Sequence, residues 1–150
     1  MQRLFLTFFY SGLSPKAPGT AGSILATLFG IAIIQWLTME TLVLLTILLI
    51  ILGIKAIDNY ESKTGTHDDK SIVIDEVIGV WIALILSSGT PLQIIASFAF
   101  FRLFDIWKPS LIGRIDRNVK GGIGVIGDDI LAGIVAGICS AGLFQLLQML

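Results

Sequence analysis

Five apolar stretches, at about 20 to 38, 41 to 57, 71 to 88, 91 to 107 and 126 to 149, leave a chain of 150 residues few ways to fold. A helix rises about 1.5 Å per residue, so roughly 17 to 25 apolar residues cover the ~30 Å hydrocarbon core of a bilayer. With 55% hydrophobic and 14% charged residues and a mean hydropathy of +0.89, the chain lies outside the range of soluble domains. The expected fold is all-α: a polytopic membrane bundle of about five transmembrane helices, with residues 1–150 as one domain. The third and fourth stretches are short for a span and are expected to be short or tilted helices.

Residues 3 to 12 are too few to cross and are expected to form an interfacial or re-entrant helix. MQRLFLTFFYSGLS has the look of a signal peptide, but no A-x-A-like site follows and PKAPGTAGS runs straight into the next apolar stretch, so cleavage is not expected. The breaks between stretches carry turn chemistry: Thr38-Met39-Glu40, and Ser87-Ser88-Gly89-Thr90-Pro91, where Pro91 suits the first turn of the fourth helix.

Alternating helices would bring residues 1 to 19, 58 to 70 and 108 to 125 to one side of the membrane. Every Lys and Arg then lies on or near that side: Arg3, Lys16, Lys55, Lys63, Lys70, Arg102, Lys108, Arg114, Arg117 and Lys120. Glu40 is left as the charge on the other side. Lys and Arg concentrate in cytoplasmic loops, so the basic side is expected to face the cytoplasm. Trp81 and Trp107 fit interfacial or lipid-facing anchors.

The same topology gathers the acids. The third helix opens with Asp75-Glu76, the fourth closes with Arg102, Asp105 and Lys108, and the fifth opens with Asp128-Asp129. At about 100° per residue, positions 102, 105 and 108 share one helix face, while adjacent acids diverge. One acid of each pair is therefore expected to face a shared cleft and its neighbour to support it. Helix dipoles favour acids at N-termini and bases at C-termini, so a purely structural ionic cluster is the plain alternative. Four carboxylates in two pairs nevertheless repel one another unless a cation lies between them, and carboxylates from two helices make a hard oxygen site suited to Mg2+. The metal candidates are Asp75, Glu76, Asp128 and Asp129, with Asp68 and His67 of GTHDDKSIVIDE near them. His67 can instead protonate a leaving alkoxide, and Asp69 reads as a solvated charge. Beside the acids lie phosphate-binding candidates: Arg102, Lys108, the loop SGLSPKAPGTAGS with Lys16 and Thr20, and the glycines Gly121 and Gly122.

Other chemistries are excluded by residue type. A net charge of -1 gives no basic excess for nucleic acid. Cys139 is alone in an apolar run, which leaves no disulfide, no zinc site and no cysteine-phosphatase loop. A single histidine cannot supply the two that phosphohistidine membrane phosphatases use, and neither a Walker motif nor a D-x-D-x-T pattern occurs.

The stretches GLSPKAPGTAGS (12 to 23), HDDKSIVIDEVIGVW (67 to 81), FRLFDIWKP (101 to 109) and DRNVKGGIGVIGDDILAG (116 to 133) resemble the phosphatidylglycerophosphatase A family of Mg2+-dependent lipid phosphatases of bacterial inner membranes. The resemblance implies hydrolysis of the terminal phosphomonoester of phosphatidylglycerophosphate to phosphatidylglycerol and inorganic phosphate. It places a multi-pass protein in the bacterial cytoplasmic membrane, with its active site toward the cytoplasm and a phospholipid as its partner. The catalytic candidates are then Asp75, Glu76, Asp105, Asp129 and His67, with Arg102 and Lys108 neutralising the phosphoryl group. The competing readings are a small membrane transporter, which predicts charges through the whole membrane depth, and a non-catalytic protein stapled by its ionic cluster. A CDP-lipid phosphatidyltransferase lacks its D-x-x-D-G-x-x-A-R signature here.

Overall fold

The computed structural model describes residues 2–66, 69–87 and 90–149. Its helices are α1 (Gln2–Leu6), α2 (Pro18–Trp36), α3 (Met39–Thr64), α4 (Ile74–Leu86), α5 (Pro91–Trp107), α6 (Ser110–Asn118) and α7 (Gly121–Gln148), with a short 3-10 turn at Ser11–Leu13. The described residues contain no strand. Three helices, α2, α3 and α7, are long and apolar enough to cross a membrane. At 1.5 Å per residue α4 and α5 extend only about 20 and 26 Å.

α4 is the axis of the bundle and packs on α2, α3, α5 and α7. Apart from Asp75 and Glu76 in its first turn, its residues are apolar on every side, and Ile74, Val77, Ile78, Val80, Ala83 and Leu84 are all buried. A helix without a polar face is stable only when other helices surround it. Trp81, expected to anchor at an interface or face lipid, is instead buried in this core, where its indole N–H donates to the Ala26 carbonyl at 2.8 Å.

α4 and α7 cross through small residues. A Cβ on Gly79 would lie 2.8 Å from the Asp129 carbonyl oxygen, and one on Gly133 would lie 2.3 Å from the Gly79 carbonyl oxygen. One turn further on, Gly137 meets Ala83. Small residues four apart on both partners let the backbones touch, the packing that helices in lipid use in place of a hydrophobic drive.

The helix ends follow local chemistry. Thr90 caps α5 in a capping box with Gln93, and Pro91 stands in the first turn as expected. Thr38 caps α3 by accepting from the Thr41 N–H, and Gly65 ends it in the left-handed conformation. Several boundaries differ from expectation, the first being the N-terminal helix, which ends at Leu6 instead of running on to 12. α3 continues to Thr64 rather than stopping near 57, because the polar residues from Asp58 onward carry the helix on past the apolar stretch without a breaker until Gly65. The expected loop after Lys108 contains α6, with Ile112 buried and Arg114 and Arg117 exposed. α7 begins at Gly121 rather than 126, because Asp58 on α3 takes over the capping role and accepts from the Gly122 N–H at 2.7 Å. Asp58→Ala is expected to lower stability by about 1 kcal/mol, the usual cost of a lost cap, read as a fall in melting temperature in detergent.

The N-terminal segment is packed rather than free. Leu6, Thr7 and Phe8 are buried, and the Leu6 carbonyl accepts from the Val73 N–H at 2.9 Å. This contact fixes the approach to α4, whose first turn carries Asp75 and Glu76.

Candidate active site

A cavity of about 780 Å³ opens where α2, α4, α5, α6 and α7 come together. α4 contributes Asp75 and Glu76 from its first turn, and α7 contributes Asp128 and Asp129, two turns in from its start. α5 contributes Arg102 and Asp105 from its last turns; Lys108 follows in the left-handed conformation that ends the helix. α6 brings Asp116, and the start of α2 brings Ala17, Pro18 and Gly19. Gly19 makes that approach close: a Cβ there would lie 2.2 Å from a Glu76 carboxylate oxygen, so the Glu76 side chain would have to shift.

Both acids of each adjacent pair line the cavity, where one of each pair was expected to face it and its neighbour to support it. Asp128 and Asp129 are 3% and 2% exposed. Asp75, Glu76 and Asp129 each offer a carboxylate oxygen within 4.8 Å of the others. Asp75 Oδ1, Glu76 Oε2, Asp128 Oδ1 and Asp129 Oδ2 are buried with no hydrogen-bond partner. Buried carboxylate oxygens without donors are costly, and a cation is what such a group accommodates. The acidic cluster can therefore bind a metal ion, and an all-oxygen donor set suits a hard one.

The basic groups are already engaged. Arg102 donates to Asp105 and, through its other terminal nitrogen, to Thr20 Oγ1 at 3.3 Å; Ser23 Oγ also lies 3.3 Å away. Its Nε is buried without a partner. Lys108 donates to Asp116 and to Asp128 Oδ2, the latter at 2.7 Å. Burial pulls the Lys108 pKa down, but the Asp116 and Asp128 carboxylates outweigh it and raise it above the ordinary lysine value, which keeps the ammonium charged.

Several expected participants lie elsewhere. Lys16 is exposed and absent from the cavity lining, where its neighbours Ala17 to Gly19 stand instead. Thr20 holds Arg102 rather than lining the cavity. Gly121 opens α7, and the Gly122 N–H is taken by Asp58, so neither glycine lines the cavity for a phosphate. Asp69 is a structural clamp rather than a solvated charge: its carboxylate accepts from the Ser71 N–H and the Tyr60 hydroxyl, which hold its pKa below the usual range. His67 and Asp68 lie outside the described residues. Sequence reasoning missed Asp116, Lys70 and Asp58. The signal for Asp116 was the helical period of Leu111, Ile112 and Ile115, which sets Asp116 on a turn returning toward Lys108.

The sequence profile described as Phosphatidylglycerophosphatase A matches residues 4–144. The chain belongs to the phosphatidylglycerophosphatase A family. It is 42% identical over 129 residues to phosphatidylglycerophosphatase A of Escherichia coli, covering 85% of this chain and 74% of that one. With the Haemophilus influenzae protein of the same name it shares 40% over 129 residues, covering 85% and 79%. A Bacteroides thetaiotaomicron protein provisionally named a phosphatidylinositol-3-phosphatase is 43% identical over 135 residues, covering 85% and 84%. No solved structure matches. Membership in the family makes the chain a phosphatase.

Proposed function

We propose that the chain is a single-domain enzyme that hydrolyses the terminal phosphomonoester of phosphatidylglycerophosphate to phosphatidylglycerol and phosphate, with Mg2+, at the cytoplasmic face of a bacterial inner membrane. The observation that carries the reading is the set of buried carboxylate oxygens, on Asp75, Glu76, Asp128 and Asp129, that lack donors and point to a cation. Six carboxylates line the cavity against Arg102, Lys108 and Lys70. Fully ionised, that wall holds an excess of negative charge and would repel a phosphate until a cation neutralises it. Asp75, Glu76 and Asp129 would hold Mg2+, with Asp128 beside them. When bound, the ion supplies positive charge against the phosphoryl oxygens and acidifies water.

The remaining work falls to the chain's own groups. Arg102, held by Asp105 and Thr20, presents its guanidinium to the phosphoryl oxygens, and Lys108, kept charged by its two carboxylates, meets them from the α6 side. His67 remains the candidate to protonate the leaving alkoxide. The basic residues gathered on this end favour the cytoplasmic side. α4 and α5, although short, complete five spans, which sets the cavity and the acyl chains of a lipid at compatible depths. The clustering of charge at one end also disfavours a transport path, which needs polar groups through the membrane.

The test is phosphate release by purified protein in detergent, with Mg2+ or with excess chelator. The substrates are phosphatidylglycerophosphate, phosphatidic acid and phosphatidylinositol 3-phosphate. Release from phosphatidylglycerophosphate is expected to need Mg2+, with kcat/KM at least about tenfold above the other two lipids. Preference for the inositol lipid would move the substrate to that class, and no release by folded protein from any of them would remove the lipid phosphatase reading.

A further inference from the structure

The seam between α2 and α5 changes character along its length. On α2, Thr20, Ile24, Thr27 and Ile31 recur at helical spacing along one face, and on α5 Ile106, Arg102, Phe98 and Ile95 do the same. At the charged end, Gly19, Arg102 and Ile106 line the acidic cavity, and Arg102 bonds across the seam to Thr20. Below that bridge the same two faces form an apolar groove of about 290 Å³, lined by Ile24, Thr27, Leu28, Ile31, Ile95 and Phe98. Thr27 is its one polar residue, and its hydroxyl is spent on the Ser23 carbonyl at 2.8 Å, which leaves the groove without a free polar group. Ile24, Leu28 and Ile95 are 50%, 58% and 67% exposed, so the groove opens sideways.

We propose that this groove holds an acyl chain of the lipid whose phosphate enters the acidic cavity, an assignment that rests on the lipid phosphatase reading. Depth supports a chain as the occupant. From Thr20 to Ile31 the helix descends about 16 Å, close to half of the ~30 Å hydrocarbon core and so to the reach of one leaflet. Continuity supports the substrate's own chain. Arg102 stands at the junction with its guanidinium on the cavity side, so a headgroup beside it sets its chains at the mouth of the groove. Lipid would then enter between α2 and α5, with the apolar seam fixing its register before the phosphomonoester meets the acids.

The groove can be closed from either wall, by Thr27→Trp or by Ile95→Trp, with Leu44→Trp on the exposed face of α3 as control. Each protein is assayed with dioleoyl and dihexanoyl phosphatidylglycerophosphate in mixed micelles with Mg2+. Wild-type protein is also photolabelled with a phosphatidylglycerophosphate analogue bearing a diazirine on its acyl chain. The groove variants are expected to lose about tenfold or more in kcat/KM on the dioleoyl lipid and no more than about twofold on the dihexanoyl lipid, as misfit in an apolar pocket does. Leu44→Trp should lose neither, and the label should fall within residues 24 to 31 and 94 to 98. Equal losses on both lipids, no loss in either groove variant, or label elsewhere on an active wild type would each overturn the groove while leaving the phosphatase standing. A wild type that releases phosphate from neither lipid would overturn both. The label needs no variant, so a substitution that fails to fold still leaves an answer.

Discussion

Asp129→Asn is expected to lower phosphate release on the order of a thousandfold, beyond the roughly 10- to 100-fold typical of residues that only support a ligand. The substitution keeps size and shape and removes one charge from a buried group whose oxygen lies within 4.8 Å of those of Asp75 and Glu76. Two further readouts separate a metal-holding role from a structural one. If Asp129 merely balances the cluster, losing it should destabilise the protein with or without metal. If it holds Mg2+, the metal-free protein should be as stable as wild type or more so, because one of several repelling carboxylates is gone. The rise in melting temperature expected of wild type on adding Mg2+ should then shrink or vanish, since stabilisation by a ligand follows its affinity for the folded state. Near-normal turnover with an unchanged Mg2+ response would remove Asp129 from the site.

The sequence was informative where chemistry is local or where a residue type is expensive. Charges in or at the ends of apolar stretches are rare enough that Asp75, Glu76, Arg102, Asp105, Lys108, Asp128 and Asp129 could be picked out together, and all of them line one cavity, although Lys55, also within a stretch, does not. Pro91 after Thr90 likewise announced its own capped helix start. What could not be read was which apolar residues face protein and which face lipid. Trp81 and Trp107 look alike in sequence, yet one donates a hydrogen bond in the core and the other is 70% exposed. In a bilayer both environments are apolar, so hydropathy does not separate them. The glycine pair before the last helix is displaced from the cavity for a related reason, whereas the loop ending at Gly19 does reach it. Gly121 and Gly122 look like an open phosphate cradle until Asp58, 64 residues earlier than Gly122, is found on its N–H. A contact of that range leaves no local pattern.

Gly133→Leu is expected to do more damage to the fold than any single loss of charge, and to take activity with it. The α4–α7 crossing depends on the absence of a side chain at Gly133, where even a Cβ would sit 2.3 Å from the Gly79 carbonyl oxygen. Backbone cannot yield as a flexible side chain can, so leucine must force the two helices apart. Overpacking of a core typically costs about 1 to 3 kcal/mol, and a backbone-to-backbone clash belongs at or above the top of that range. The consequence reaches the site because the same crossing sets Asp75 and Glu76 on α4 against Asp129 on α7. A misplacement of about 1 Å can cost 10²-fold in rate, so turnover should fall at least that far even in the fraction that remains folded. Gly142→Leu is the matched comparison: it lies on the same helix, a Cβ there meets nothing within 4 Å, and both melting temperature and turnover should stay near wild type. Gly133→Ala should fall between them. Turnover and melting temperature in Gly133→Leu equal to those of Gly142→Leu would mean that the crossing relaxes freely and that the acids are positioned by something other than these two glycines. Loss in Gly133→Leu alone would tie the small-residue seam, which lines no part of the cavity, to the distance between the carboxylates of the candidate site.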